Sequence, residues 1–302
     1  MKEEKFDFYS KTSLKSYNLD DAMRYQLSML DSLDVFTRRH SENVANLTCR
    51  ICEYMNASNK FTVYCTTCAY LHDIGKLFIP SKILQKDSAL TDEEFKIMKT
   101  HTTIGYNMCM KDLKLRPYAA GALYHHEALD GSGYPNGITK KDIPIEGQII
   151  RVADEYDAIV SKRQYKSHID ISETLAILFE DATPKKGNKD GKINSKILKA
   201  LIKVVIDDVE YEKYCVQEYL EYLEENISRL NEIDKYVRKM NESKKEKDKA
   251  YYENGIKILL ADGETISNYY DVLEEYNQAK QVRSDMLKKL DSEIKKIKKM
   301  KI

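Results

Sequence analysis

The sequence predicts an all-α protein, a helical bundle followed by a long C-terminal helical extension. Apolar residues recur at intervals of three and four through residues 19–31 and 35–56, which is the pattern of one face of an α-helix. Few strands are evident in the sequence, and none is long. Glycine, proline and helix-capping residues separate the helical segments, as expected for a bundle of helices.

Local signals place the first helix boundaries. Asn56–Asn59 is expected to separate two helices, and the second of them ends at the doublet His72-Asp73. Gly75 is expected to break that helix because glycine is a poor helix former. Phe78-Ile-Pro80 is expected to be extended, since proline disfavours the helical conformation in the residue before it.

The starts of later helices are also marked. Thr91-Asp-Glu-Glu94 has the sequence of a capping box and should begin a helix. Pro117 and Pro144 suit the first turns of two more helices, because the proline nitrogen carries no hydrogen that would need a helical partner. Residues 130–137, which contain three glycines and a proline, are expected to form a loop.

Residues 207–302 differ in pattern from the rest of the chain. Apolar residues there follow a heptad spacing that is interrupted at Lys244–Lys249 and Ala261–Gly263. The spacing predicts long amphipathic helices that form a coiled-coil hairpin or a dimer contact. A solvated helical extension without a partner is the alternative. The heptad positions are Val216, Leu220, Leu223, Ile227, Leu230, Val237, Tyr269, Leu273, Tyr276, Leu287, Leu290, Ile294 and Ile297.

The charge balance and hydropathy of the sequence argue against some classes of partner. Lys+Arg and Asp+Glu are equal at 49 each, so the formal net charge is zero. This balance gives no general electrostatic reason to expect a nucleic-acid polymer or a membrane surface as a partner. The sequence contains no apolar run of membrane-spanning length, and its first residues lack the apolar segment of a signal peptide. We expect a cytoplasmic protein without a membrane span.

The six cysteines are expected to be thiols, as is usual in the cytoplasm. The pairs Cys49–Cys52 and Cys65–Cys68 have the spacing of a zinc ribbon. Neither pair, however, is flanked by the glycine or proline that helps to form a tight metal-binding turn. Residues three apart share one face of a helix, so we interpret all four as core thiols. A structural zinc or a redox cluster is the alternative.

Five of the six histidines are grouped with two aspartates in a way that suits a metal site. Neutral imidazoles and bridging carboxylates are the ligands that hold two divalent transition metals close together. Such a metal pair can activate a water molecule and bind a phosphate, so the pattern indicates a metallohydrolase. The residues are His40, His72, Asp73, His101, His125, His126 and Asp154.

These residues lie in ordered motifs that resemble the HD-GYP family, a branch of the HD-domain metal-dependent phosphohydrolases. The resemblance covers roughly residues 30–205, and several ordered motifs with an intact Gly-Tyr-Pro loop make it specific. The motifs are Asp34-x-x-Thr37-x-x-His40-Ser41, His72-Asp73-Ile-Gly-Lys76, His101-x-x-x-Gly105, His125-His126-Glu127-x-x-Asp130-Gly-x-Gly133-Tyr134-Pro135-x-Gly137, Arg151-Val-Ala-Asp154-x-x-Asp157-Ala158 and Arg163-x-x-Lys166.

The resemblance implies an HD-domain helical bundle, and together with the change of pattern near residue 207 it divides the chain into three parts. Residues 1–20 would be an N-terminal extension, and residues 21–206 an HD-GYP catalytic domain. Residues 207–302 would be the helical extension, a candidate element for forming a homodimer or for binding a signalling partner.

The resemblance also implies two bound metals, usually iron or manganese, with a bridging hydroxide that attacks phosphorus. The His72-Asp73 doublet can place an imidazole on one metal while the carboxylate bridges to the other. His40 and Asp154 can complete one coordination shell, and the remaining three histidines the second. Phe36 stands where some family members have a glutamate that binds a third metal, so two metals are favoured.

Five residues carry the implied catalytic and substrate roles beside the metals. Asp73 and Lys76 are the expected catalytic residues, and the Lys76 ammonium could also reach a substrate phosphate. Arg163 and Lys166 match positions that contact substrate phosphates, and their charges suit that role. Asp157 could orient Lys76 or the edge of a base. Ordinary surface salt bridges are the alternative for Lys76, Asp157, Arg163 and Lys166.

The activity that the resemblance implies is hydrolysis of cyclic di-GMP to linear pGpG, or onward to GMP. Another cyclic dinucleotide such as cyclic GMP-AMP, or a nucleotide monoester, is the rival substrate. A binding module that has lost turnover and serves as a cyclic-dinucleotide sensor is the rival class of function. The presence of every expected ligand argues against that module. Tyr134 is expected beside the site without a catalytic role.

Overall fold

The computed structural model describes residues 35–86, 88–164, 171–185 and 187–300. The predicted N-terminal extension and first helix, together with Lys166 and His168, lie outside these residues, and the side chains of Phe36 and Arg163 are not described either. Between Asp207 and Asp208 the chain divides into two compact units. The first contains the described residues up to Asp207 and those from Lys296 onwards, and the second is Asp208–Lys295.

The described residues are helical and contain no strand, with a single isolated bridge between Asp130 and Thr139. The all-α prediction is therefore confirmed. The helices are α1 (Val35–Tyr54), α2 (Asn59–Leu71), α3 (Ser81–Leu84), α4 (Asp92–Lys99), α5 (His101–Lys111), α6 (Ala119–Tyr124), α7 (Ile145–Gln164), α8 (Ile171–Ala182), α9 (Ser195–Glu242), α10 (Glu246–Leu259) and α11 (Tyr269–Lys299), with 3-10 turns at Ile74–Phe78 and Arg116–Tyr118.

The helix starts follow the predicted local signals. Thr91 and Glu94 form a complete capping box at α4, in which the Glu94 main-chain nitrogen lies 3.2 Å from the Thr91 hydroxyl and the Thr91 nitrogen 2.8 Å from the Glu94 carboxylate. Pro117 lies in the 3-10 turn that precedes α6, and α7 begins directly after Pro144. These boundaries are local, so the sequence could specify them without knowledge of the packing.

The segment after Gly75 is only partly extended. Residues Ile74–Phe78 form a 3-10 turn. The main-chain N–H of Lys76 donates to the Asp73 carbonyl at 2.9 Å, and that of Ile79 donates to the Lys76 carbonyl at 3.1 Å. Ile79 alone, before the proline, has the expected extended conformation. The prediction for Phe78 was wrong because these turn hydrogen bonds continue through it.

Gly75 allows two elements to approach closely. A Cβ atom on this residue would lie 1.9 Å from the carbonyl oxygen of His101, at the start of α5. Any side chain would therefore push α5 away from the turn that follows α2. The glycine sets the distance between the His72-Asp73 doublet and His101.

The core of the first unit lies where α1, α2 and α7 pack together, with α5 and α6 against α2 and the turn that follows it. All four cysteines of the two CxxC pairs are fully buried there as free thiols. Among the described residues no cysteine belongs to a group able to hold a metal. The prediction of core thiols is confirmed, and the described residues give no support to a zinc ribbon.

The second unit is a helical hairpin with its own core. Helices α9 and α11 run antiparallel within it, because Lys213 pairs with Asp291 at 2.7 Å whereas the Tyr269 hydroxyl meets Asp234 at 3.1 Å. Three predicted heptad residues, Leu230, Tyr269 and Leu273, pack with Ile233 and Ile256. The helical extension is thus confirmed, and it covers these apolar positions with its own chain. A partner-binding role for it stays a prediction.

The interruptions of the heptad pattern coincide with the ends of helices. Helix α9 ends at Glu242 and α10 begins at Glu246, while α10 ends at Leu259 and α11 begins at Tyr269. Gly263 lies in the second gap with a φ of 84°, in the left-handed region that favours glycine. None of the helices in the described ranges has both the length and the hydropathy that a transbilayer segment requires.

Leu115 and Leu113 provide a matched test of the core of the first unit. Leu115 is 2% exposed and packs in a cluster with Leu71 and Ile74, whereas Leu113 is 75% exposed. We expect Leu115→Ala to lower the free energy of unfolding by about 2–5 kcal/mol. Leu113→Ala should change it by less than about 0.5 kcal/mol. Urea unfolding followed by circular dichroism measures both, and equal losses would contradict this packing.

Candidate metal centre

Separate helices bring the predicted ligands together within the first unit. His40 lies on α1, and the doublet His72-Asp73 follows the last residue of α2. The other residues are His101 at the first position of α5, His125 and His126 directly after α6, and Asp154 on α7. All seven predicted residues are therefore brought together, although up to 114 positions separate them in sequence.

Asp73 lies at the centre of this cluster, and its two carboxylate oxygens face different histidines. Oδ2 is 3.2 Å from Nε2 of His72 and 3.7 Å from Nε2 of His40. Oδ1 is 3.4 Å from Nε2 of His101 and 3.9 Å from Nε2 of His125. The carboxylate thus lies between two groups of ring nitrogens, which is the position of a bridging ligand.

Asp154 occupies a similar position on the other side of the cluster. Its Oδ1 lies 2.9 Å from Nε2 of His40 and 3.9 Å from Nε2 of His72. Its Oδ2 lies 3.9 Å from Nδ1 of His126. Asp154 therefore also connects histidines from separate helices.

Main-chain carbonyls fix the orientation of three of the rings. Nδ1 of His72 lies 2.6 Å from the carbonyl of Ala69, and Nδ1 of His101 lies 2.7 Å from that of Met98. His125 makes the same contact with the carbonyl of Gly121 at 3.0 Å. A carbonyl can only accept, so Nδ1 carries the hydrogen and the lone pair of each neutral ring is on Nε2. Such contacts orient metal-binding histidines in proteins.

The ring nitrogens and carboxylate oxygens of the cluster that lack a hydrogen-bond partner are suited to bind a cation. Nε2 of His101 and Nε2 of His125 lie 3.2 Å apart, and two lone pairs at that distance cannot form a hydrogen bond with each other. Nε2 of His72 and Oδ1 of Asp73 are buried without a hydrogen-bond partner. Buried polar atoms of this kind are costly unless a ligand or ion satisfies them.

The ligand atoms form three groups, each compact enough to bind one ion. Within each group the atoms all lie within 4.8 Å of one another. A cluster of histidines and aspartates that could bind metal is therefore present. The groups are His101 with His125 and His126, His40 with His72 and Asp73, and His72 with His125 and Asp154.

Burial keeps three of the rings neutral at physiological pH. It lowers the pKa of His101, it lowers the pKa of His125 well below its usual range, and it lowers the pKa of His126 to about 3. His40 behaves differently. Burial would lower its pKa, but hydrogen bonds to Asp154 and Asp157 raise it to about 10.

The charged groups stabilise one another. Burial would raise the pKa of Asp73, but the His72 ring and the Lys76 ammonium hold it well below its usual range. The pKa of Asp154 is likewise lowered against the effect of burial, chiefly by its hydrogen bond to His40. Burial would lower the pKa of Lys76, and the Asp73 carboxylate, 2.5 Å from its nitrogen, raises it. Both acids are thus ionised, as metal ligands must be.

Asp157 lies behind His40 rather than beside Lys76. Its Oδ2 accepts a hydrogen bond from Nδ1 of His40 at 2.6 Å, and its Oδ1 accepts one from the Asn43 side chain at 3.0 Å. The sequence had suggested that Asp157 orients Lys76 or a base edge. The structure instead gives it the position of a carboxylate that orients a metal-binding histidine.

Glu127 and Arg151 support the site, and the sequence suggested no role for either. The buried Glu127 carboxylate accepts hydrogen bonds from the main-chain nitrogens of Asn136 and Ile138, at 2.7 and 3.1 Å. Arg151 on α7 donates to the carbonyls of His126 and Glu127, at 2.9 and 3.2 Å. Both residues lie within the motifs that resemble the HD-GYP family, and this position is the only sequence signal that points to them.

The Gly-Tyr-Pro loop borders the cluster. The Tyr134 ring stacks on the His126 ring with centroids 4.6 Å apart and an interplanar angle of 28°. Tyr134 thus stands beside the cluster and belongs to none of the ligand groups, in agreement with the position expected of it. The contacts of Arg163 and Lys166 lie outside the described side chains.

Comparison with known proteins identifies the family of this chain. Residues 24–186, more than half of the chain, match the family model of the HD domain. The chain belongs to the HD-domain family. The resemblance to its HD-GYP branch is confirmed by relatives that are named cyclic di-GMP phosphodiesterases.

Three curated relatives of this HD-domain protein illustrate the match. A cyclic di-GMP phosphodiesterase of Thermotoga maritima is 49% identical over 47% of this chain and 39% of its own length. One of Borreliella burgdorferi is 35% identical over 65% of this chain and 48% of its own. A 3'3'-cGAMP-specific phosphodiesterase of Vibrio cholerae is 33% identical over 51% of this chain and 33% of its own length. The chain spans less than half the length of each of these relatives.

Asp157→Ala tests whether this carboxylate acts through His40. We expect it to lower metal affinity roughly 10–100-fold, as the loss of a carboxylate that orients a ligand histidine does elsewhere. Metal titration followed by calorimetry measures this, and Asp92→Ala, an exposed acid in the first turn of α4, is the control. Unchanged metal affinity with a raised KM for a phosphodiester would instead place Asp157 at the substrate.

Proposed function

We propose that this HD-domain protein is a metal-dependent phosphodiesterase that hydrolyses cyclic di-GMP to linear pGpG. The observation that carries the proposal is the convergence of five imidazoles on two buried carboxylates, with ring lone pairs and a carboxylate oxygen left unsatisfied. A cluster of this composition suits divalent metals, and two of the relatives reported above are named for cyclic di-GMP hydrolysis.

The proposed ligands divide into two sets that share Asp73. His40, His72 and Asp154 face its Oδ2 side, and His101, His125 and His126 complete the set on its Oδ1 side. The mixture of nitrogen and carboxylate donors suits iron or manganese. Two such ions, when bound, would lower the pKa of a coordinated water and neutralise phosphoryl oxygens.

The remaining residues bind and orient the substrate. The Lys76 ammonium, which contacts Asp73, would donate to a phosphoryl oxygen and offset the charge that develops on it. Arg163 and Lys166 are proposed to bind the substrate phosphates, Arg163 in a bidentate manner and Lys166 as a point charge. Arg151 and Glu127 hold the segment that carries His126 in place.

The second candidate is hydrolysis of a different cyclic dinucleotide by the same groups. The Vibrio cholerae relative specific for 3'3'-cGAMP favours this alternative, because the match extends over half of this chain. The metal ions that these ligands would hold act on the phosphodiester, which all cyclic dinucleotides share. Discrimination between them must therefore come from residues that contact the bases.

Asp73→Asn tests the metal centre. Replacing one carboxylate oxygen by an amide nitrogen removes both the charge and the bridging geometry, so we expect metal content to fall and hydrolysis to drop by at least about 100-fold. Elemental analysis and a turnover assay on anaerobically purified protein measure the two effects. The exposed Asp92→Asn is the control, and thermal unfolding verifies that both variants fold.

Full metal content in Asp73→Asn would contradict the ligand assignment. Metal-loaded wild-type protein that binds cyclic di-GMP and leaves it intact would contradict the phosphodiesterase itself. That second result would support a regulatory binding module.

A panel of cyclic dinucleotides tests the substrate. We expect the highest kcat/KM for cyclic di-GMP among cyclic di-GMP, 3'3'-cGAMP and cyclic di-AMP, since two of the matched relatives are named for it. Product analysis by chromatography separates pGpG from GMP. Equal kcat/KM values for all three would remove cyclic di-GMP as the preferred substrate without affecting the metal chemistry.

A further inference from the structure

Three side chains form a surface at the edge of the metal cluster, which we call the aromatic platform: Phe95, Lys99 and Tyr134. The Phe95 and Tyr134 rings meet edge to face, with centroids 6.3 Å apart. The Lys99 ammonium lies 4.6 Å from the Phe95 centroid and 5.2 Å from the Tyr134 centroid. Two separate elements, α4 and the Gly-Tyr-Pro loop, thus build one surface.

The platform is continuous with the cluster. Tyr134 stacks on His126, one of the proposed ligands, and Lys99 lies two residues before His101. A ligand whose phosphate lay against the histidines would therefore extend its other groups over Phe95 and Tyr134.

Core packing does not account for Phe95. Helix α4 contains no buried residue, and Phe95 is 43% exposed. A phenyl ring that is exposed to solvent is less favourable than a buried one. Contact with an apolar ligand surface would bury the ring and gain that free energy. The Tyr134 ring is half-buried, with the His126 ring stacked on it and the Lys99 ammonium over it, so Phe95 is the more exposed of the two rings.

We infer that the aromatic platform binds one nucleobase of the substrate and selects guanine, an inference that rests on the function proposed above. Every nucleobase has a flat π-face that stacks on aromatic side chains. Guanine presents two acceptors, O6 and N7, on one edge, and a lysine ammonium recognises that pair. Adenine presents an N6 amino group at the same place, where its hydrogens would face the Lys99 cation.

The two side chains therefore have separable roles. Phe95 contributes stacking, which is independent of the base, and Lys99 contributes the choice between guanine and adenine. Neither residue contacts the reacting phosphodiester, so both are specificity-determining residues rather than catalytic ones. The metal centre alone could not provide this selection, because it would act on the phosphodiester that all cyclic dinucleotides share.

The test compares three variants of the metal-loaded protein on cyclic di-GMP and cyclic di-AMP. Phe95→Ala should lower kcat/KM for both substrates by roughly tenfold, mainly through KM. Lys99→Gln should lower the ratio of cyclic di-GMP to cyclic di-AMP kcat/KM by roughly tenfold, because glutamine pairs with the N6 and N7 edge of adenine. Ile97→Ala is the matched control, since Ile97 is 43% exposed on the same helix and two positions from Phe95.

Equilibrium binding of both dinucleotides, measured by calorimetry on the same variants, tests the aromatic platform separately from the phosphodiesterase activity. The platform would be overturned if Phe95→Ala lowered turnover no more than Ile97→Ala does, or if Lys99→Gln left the ratio of the two kcat/KM values unchanged. Either result would leave the proposed phosphodiesterase activity intact. Binding that depends on Phe95 and Lys99 without turnover would support the platform and overturn the phosphodiesterase. Absence of both binding and turnover would overturn both.

Discussion

The first unit depends on the burial of one carboxylate. Asp73 is 1% exposed, and an ionised acid so far from water is tolerated only if charges and hydrogen bonds surround it. Lys76 provides one such contact, and the ring nitrogens of four histidines lie 3.2–3.9 Å from the carboxylate, where a bound cation would link their lone pairs to its negative charge. Because these groups come from separate helices, the helices must converge at one point. The chemistry of the site and the packing of the bundle are thus consequences of the same constraint.

A second layer of contacts fixes the geometry that the buried acid requires. Main-chain carbonyls hold His72, His101 and His125, and the Asp157 carboxylate holds His40. Each carbonyl contact takes the Nδ1 hydrogen of its ring and leaves the lone pair on Nε2. The rings are therefore oriented by the folded chain itself, and a cation can bind without large rearrangement of the ligands. Arg151 extends the same rigidity to the segment after α6 by bonding its carbonyls.

The helical hairpin formed by residues 208–295 has a different physical basis. Its stability comes from an apolar seam between its own helices, with Leu230, Ile233 and Leu273 at the centre. Ion pairs such as Arg229–Glu264 add to the seam at the end where α10 and α11 are joined. No metal-binding group among the described residues includes a residue of this hairpin. The two units therefore differ in what holds them together as well as in composition.

The sequence alone determined the features that depend on neighbours along the chain. The capping box at Thr91, the helix start after Pro144 and the set of candidate ligands all follow from residue type and spacing. Only the tertiary structure decided which distant side chains meet. It placed Asp157 behind His40 and Phe95 against Tyr134, because such pairs depend on how helices pack, and packing sums many weak contacts that no local motif encodes.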